Sequence, residues 1–194
     1  MPETAYIKVN GLSKSFDGEN VISGLNFTFD DPGIYVIEGE SGSGKTTLLR
    51  MIAGLTAPDG GSIETRGRIG VVFQEPRLFE NVSLLENVKL VADKNSGEPF
   101  GTPEELLTAV GLGDSLGKTA AESSGGMCQR TSICRAIYFA PDILLCDEPF
   151  SAIDDANASL SAALLERFSE TGILIIATHG GKSPFKTAKA VIVL

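Results

Sequence analysis

The chain has 194 residues, 42% of them hydrophobic, and a formal net charge of −9. That length suits one domain, or one domain with a lobe inserted in it, with enough chain to build its own core. The acidic balance argues against nucleic acid, whose binding rests on clustered Lys and Arg, and no apolar run approaches the ~20 residues that cross a bilayer.

Met1 to Leu12 lacks a cationic start followed by an apolar run, so no secretory signal is expected. Within it, Tyr6-Ile7-Lys8-Val9 alternates and predicts an edge strand, and Leu25 to Phe29 alternates again up to the turn signal Asp30-Asp31-Pro32-Gly33. Ile34-Tyr35-Val36-Ile37 is a continuous apolar run, the pattern of a strand buried on both faces of a parallel sheet. It leads into Gly39-Glu40-Ser41-Gly42-Ser43-Gly44-Lys45-Thr46, which matches G-x-x-x-x-G-K-[ST], and then into a helix from Lys45 to Ala53. Glycines there let successive N–H groups converge on a phosphate at the positive end of the helix. Lys45 can reach the β- and γ-phosphates, and the Thr46 hydroxyl can hold Mg²⁺. The plain alternative is a Gly-Ser loop that only turns a strand into a helix; the buried strand before it and the helix after it favour the phosphate loop.

Further apolar runs follow at Ile69 to Phe73, Ile143 to Cys146 and Ile173 to Ile176, with helical patterns between several of them, which predicts an α/β fold with a largely parallel sheet. Between about Ser83 and Ala140 the pattern turns helical, over Leu84–Val91, Pro103–Val110 and Gly126–Ala140, as in an inserted lobe. Cys128, Cys134 and Cys146 form no CxxC pair and read as reduced core thiols of a cytosolic protein. The run from Ile143 ends in Asp147-Glu148, and carboxyl ends of parallel strands are where ligands are met. Asp147 suits a metal shell, and Glu148 is placed to polarise an attacking water.

This order of motifs resembles that of ATP-binding cassettes (the ABC family) over nearly the whole chain. The resemblance implies a P-loop NTPase (RecA-like) core with a mainly parallel sheet, a small antiparallel β subdomain and an inserted helical subdomain. It implies one domain over 1–194, with 1–80 and 141–194 as nucleotide-binding core and 81–140 as helical part. Gly39, Ser41, Gly42, Ser43, Gly44, Lys45, Thr46 and Thr47 would hold ATP, and Thr46, Gln74 and Asp147 would serve Mg²⁺. Gln74 matches the glutamine that contacts metal and attacking water, beside Glu148 as the catalytic carboxylate. His179, in Ala177-Thr178-His179, matches the switch histidine at the γ-phosphate, and Gly180-Gly181 after it suggest an exposed turn. On residue type alone His179 reads equally as a structural histidine and Phe16 as core; the resemblance makes Phe16 the platform under adenine. Ser151-Ala152-Ile153-Asp154 is similar to the family's D-loop.

The signature sequence departs from the family form L-S-G-G-Q-x-Q-R. This chain has Ser123-Ser124-Gly125-Gly126-Met127-Cys128-Gln129-Arg130, with Ser123 in place of an apolar residue and Met127 in place of glutamine. Ser124, Gly125 and Gly126 still offer a hydroxyl and backbone N–H groups at a helix start. The resemblance implies a homodimer, or a paired cassette, that sandwiches two ATP head to tail and drives integral membrane permease subunits from the cytoplasmic face of the membrane. Docking would fall near Gln74 and the segment Glu75 to Val88, with Leu78, Phe79 or Leu84 exposed for it. Phe73 to Phe79 resembles importers of the nitrate, sulfonate and taurine type. A soluble ABC-type switch is the rival reading, disfavoured by the acidic charge and the lack of a second cassette or basic insertion. A binding-only module is opposed by Glu148 and His179, an unrelated P-loop GTPase by the lack of an N-K-x-D motif, and a simple P-loop kinase by the Ser-Gly-Gly segment.

Overall fold

The computed structural model describes residues 4–92, 97–179, 185 and 188–194. Two strands, β1 (Tyr6–Phe16) and β2 (Glu19–Phe29), form an antiparallel hairpin. Asp17-Gly18 closes it with φ values of 50° and 86°, the left-handed pair that a two-residue turn matched to strand twist requires. On the other side of β1 lies β4 (Gly60–Arg66), also antiparallel, so the sheet order is β2-β1-β4. The expected edge strand at Tyr6–Val9 is therefore the central one. Its partner Gly60-Gly61-Ser62-Ile63-Glu64-Thr65-Arg66 is polar and glycine-rich, and carries no strand signal of its own.

The second sheet has five parallel strands in the order β5-β6-β7-β3-β8. These are β3 (Gly33–Glu38), β5 (Ile69–Val72), β6 (Ile143–Asp147), β7 (Ile173–Thr178) and β8 (Ala190–Val193). Alternation along the three inner strands sorts their side chains into two cores. Tyr35, Ile37, Ile143, Leu145, Ile173 and Ile175 face α1 (Lys45–Ile52) and the buried side of the antiparallel sheet, Ile7, Val9 and Leu12. Ile34, Val36, Leu144, Cys146, Leu174 and Ile176 face α5 (Asp155–Ser169) and the helices that follow β5. Covering on both faces is why these runs read as unbroken apolar stretches, each fully buried Ile or Leu contributing ~2 kcal/mol.

Between β5 and β6 come α2 (Leu84–Lys89), α3 (Pro103–Ala109) and α4 (Gly125–Tyr138). Ser83 caps α2, and Thr102 with Glu105 forms a reciprocal capping box ahead of Pro103. Ser124 caps α4, and Ala140 at φ 51°, before Pro141, closes the stretch after it. Leu84, Val88, Leu106, Leu107, Ile133 and Ile137 pack together as one apolar centre continuous with the sheet. Because the main sheet is parallel, the ends of β3, β5, β6 and β7 open on one edge.

Candidate functional site

The loop between β3 and α1 is held shut by its own geometry. Gly44 has φ 101°, and a Cβ there would lie 2.7 Å from Val21 Cγ1, so only glycine fits. Lys45, 5% exposed, donates from Nζ to the carbonyls of Gly39 at 2.9 Å and Glu40 at 2.7 Å. Ser43 Oγ is buried and has no hydrogen-bond partner among the described residues. An orphaned hydroxyl, a buried ammonium and the first N–H groups of a helix make a cradle for a phosphate-sized anion.

Two carboxylates follow at the end of β6. Asp147 is 6% exposed, and burial pushes its carboxyl above the ordinary range, with the neighbouring Glu148 charge adding to the rise. The Thr46 hydroxyl donates to it, and Lys45 and Arg50 pull the other way. Glu148 sits at φ 46°, left-handed for a residue with a side chain, and its N–H donates to Ala177 O at 3.0 Å. That backbone turn aims the carboxylate. Oε1 meets His179 Nδ1 at 2.7 Å, and Oε2 accepts from Gln74 Nε2 at the long distance of 3.4 Å. Strained backbone at a convergence of polar groups is the usual mark of a functional position.

Phe16, Ser41, Gly42, Gly44, Lys45, Thr46, Thr47, Gln74, Glu148 and His179 line one open cleft of about 440 Å³ together with Val21. Phe16 is 48% exposed at the end of β1, so it is not core, and Lys14 Nζ lies 5.2 Å from its ring centre. Asp147 lies behind Thr46 rather than on the cleft wall. The turn suggested by Gly180-Gly181 lies outside the described residues.

Ser124, Gly125 and Gly126 are not in that cleft. Ser124 Oγ accepts from Met127 N at 3.3 Å, and Ser124 and Gly125 face solvent. Ser123 Oγ donates to Thr119 O at 2.8 Å, and Met127 packs half-buried against the apolar centre of the helices. Both departures from the family pattern are thus accommodated locally.

Several positioning groups escaped the sequence reading. Gln129 is fully buried and donates to Phe73 O at 3.2 Å, while Arg135 donates to Pro76 O and Arg77 O, both at 2.9 Å. Together they tie α4 to the backbone on either side of Gln74. Asn87, also fully buried, bonds both the N–H and the C=O of Phe79. Polar residues at helical spacing look like a solvated face in sequence, and only the fold shows them turned inward.

A family model described as ABC transporter matches residues 22–151. The chain is 35% identical over 192 residues to the aliphatic sulfonates import ATP-binding protein SsuB of Delftia acidovorans, a match covering 97% of this chain and 79% of that one. It is likewise 35% identical over 192 residues to the SsuB protein of Corynebacterium glutamicum, covering 96% and 79%. Among solved structures, a dimeric ATP-binding cassette in a post-hydrolysis state with ADP and Pi superposes with a TM-score of 0.77 at 24% identity. That likeness covers 90% of this chain and 88% of the other, and it concerns the fold.

Proposed function

This chain belongs to the ABC transporter family, and on that premise we propose that its cleft turns over MgATP as half of a head-to-tail pair driving membrane permease subunits. Its fold is that of a P-loop NTPase, and it is the ATP-binding, ATP-hydrolysing subunit of such a transporter, with import favoured. The observation that carries the site assignment is the convergence of Gln74 and His179 on Glu148 in the same cleft as Lys45 and Thr46.

In this reading Lys45 exchanges its two loop carbonyls for phosphate oxygens, and Ser43 Oγ gains the acceptor it lacks. Glu148 orients the attacking water and accepts its proton, while His179 steadies the carboxylate and contacts the γ-phosphate. Gln74 follows the state of that carboxylate from the other side. Thr46, Asp147 and Gln74 are hard oxygen donors that would hold Mg²⁺, whose bound charge offsets that developing on the phosphates. Phe16 offers an exposed ring for the base. Ser124, Gly125 and Gly126 lie outside their own cleft at a capped helix start, a placement that supports their use on a partner chain's nucleotide.

The permease would dock beside Gln74, where Leu55, Ile69, Val71, Phe73, Val91 and Phe139 line a cavity of about 370 Å³. Of the three apolar residues expected near it, Phe79 is 62% exposed, Leu78 is half-buried and Leu84 is core. No helix among the described residues is long and apolar enough to cross a membrane. A cytoplasmic, peripheral position on the inner face of the membrane and the absence of a nucleic-acid partner belong to the same proposal.

Purified chain with MgATP tests the reading directly. Glu148→Gln should bind ATP, lose turnover and accumulate as an ATP-bound dimer in size-exclusion chromatography. More than half of the parental ATPase rate in that variant would sink the assignment. Recovery of soluble proteins alone, in pull-downs from cell extracts with membranes, would instead favour the soluble switch.

A further inference from the structure

Helix α4 carries a cation into the interior. Arg130 is 7% exposed, and burial works against its charge. Its three acceptors are neutral and lie on three different elements. Nε donates to Gly126 O at 3.2 Å in the first turn of α4 itself, and Nη1 donates to Val110 O at 2.6 Å at the end of α3 and to Asn157 Oδ1 at 2.8 Å in the first turn of α5. Asp154, the α5 cap, fixes Asn157 in turn by accepting its backbone N–H at 3.1 Å and its Nδ2 at 2.7 Å, and favours the Arg130 charge through space.

A second contact joins the same two regions without Arg130. A Cβ on Gly126 would fall 2.8 Å from Ala152 O, so the two backbones touch there. Ser124, Gly125, Ser151 and Ala152 are all exposed beside this junction. The planar guanidinium reaches acceptors in divergent directions at once, which a lysine ammonium on a single stem cannot reproduce.

We propose that Arg130 is a positioning residue that fixes the Ser124–Gly126 turn to the Ser151–Asp154 segment, so that one chain offers both as a single rigid surface to its partner's nucleotide. The proposal rests on the head-to-tail reading above. Arg130 touches no nucleotide itself; it removes the freedom of two short segments that must arrive together. The cost of misplacing them falls on the other chain's site.

Arg130→Lys should lower kcat by about tenfold or more while ATP affinity of the monomer is unchanged. Asn157→Ala, which keeps the Asp154 cap but removes the Asn157 Oδ1 acceptor of Arg130, should show the same pattern and loss and serves if the lysine variant fails to fold. Each variant is then mixed with Glu148→Gln chains. In a mixed pair the Glu148→Gln chain lends an intact turn to the other chain's intact Glu148. The mixture should therefore recover about a quarter of the parental rate, since half of random pairs are mixed and each has one whole site. The control mixes Ser124→Arg with Glu148→Gln. Recovery in the control without recovery for either Arg130→Lys or Asn157→Ala overturns the proposal alone. No recovery in the control takes the head-to-tail reading down, and this proposal with it. Parental kcat in both single variants also overturns it.

Discussion

Replacing Glu148 with glycine should give a chain more stable than its alanine counterpart and equally without turnover. Both substitutions remove the 2.7 Å contact to His179 and the acceptor for Gln74, so those losses cancel between them. What differs is the backbone at φ 46°, where a Cβ costs about 1–2 kcal/mol. Glycine relieves that cost but gives back about 0.5–1 kcal/mol in chain entropy. The net gain over alanine is about 0.5–1 kcal/mol, or about 1–4 °C in Tm for a chain of this size. Scanning calorimetry of the two variants without nucleotide reads the difference, and steady-state ATPase assays should show both slower than the parent by about 10²–10⁴-fold. A glycine variant that melts at or below the alanine variant refutes the strain argument. A glycine variant that retains turnover refutes the role of the carboxylate.

Three further outcomes are expected. Burial holds Asp147 above its ordinary range, so the folded chain binds that proton more tightly than the unfolded one; the resulting stabilisation is present at low pH and lost as pH rises through the raised folded value. Asp147→Asn should therefore raise Tm at neutral pH in nucleotide-free protein while impairing Mg²⁺-dependent turnover, and a lower Tm at that pH contradicts the burial account. Gly44→Ala should raise the Kd for ATP through displacement of Val21, read by titration with a fluorescent nucleotide; unchanged affinity would show the loop to be more pliant than its contacts indicate. Phe79→Glu should fold and hydrolyse ATP yet fail to co-purify with membrane subunits, whereas Leu84→Glu, at a fully buried position, should cost about 3 kcal/mol or more and unfold the chain; if Phe79→Glu still co-purifies, docking does not use that ring.

The elements that sequence reveals best here are those whose pattern and packing agree. Ile34–Ile37, Ile143–Cys146 and Ile173–Ile176 are apolar throughout because both faces of each strand are covered, and the glycine loop is legible because its backbone admits few other residues. β4 was hidden because a strand at the rim of a small sheet buries little, and its Gly-Gly-Ser start resembles a turn. β8, a short apolar run at the rim of the parallel sheet, was not singled out in the sequence, and its position beside β3 is a matter of topology. For the candidate site the sequence offered residue types at motif spacings, and their spatial relations appear only in the fold. Neither the left-handed backbone at Glu148 nor the bond from Gln129 to the residue before Gln74 leaves a mark in the order of amino acids. Phe16 was ambiguous by type, and its exposure excludes only the core reading.

The strand that opens the phosphate loop is finished last. β3, at residues 33–38, is flanked by β7 at 173–178 and β8 at 190–193, with full parallel pairing to the former. During synthesis that strand leaves the ribosome with neither neighbour yet made, and at ordinary translation speeds it waits on the order of ten seconds for them. Local pairing cannot fill the interval, because both strands that pair with β3 lie far downstream in sequence. The antiparallel hairpin of β1 and β2, with the exposed Phe16 ring, is available at once, so a nascent chain should form it long before the loop after β3 is held in place. Interrupting synthesis before residue 173 should leave a chain that exposes β3 to aggregation and gains nothing from added ATP, while a completed chain should be rescued by it.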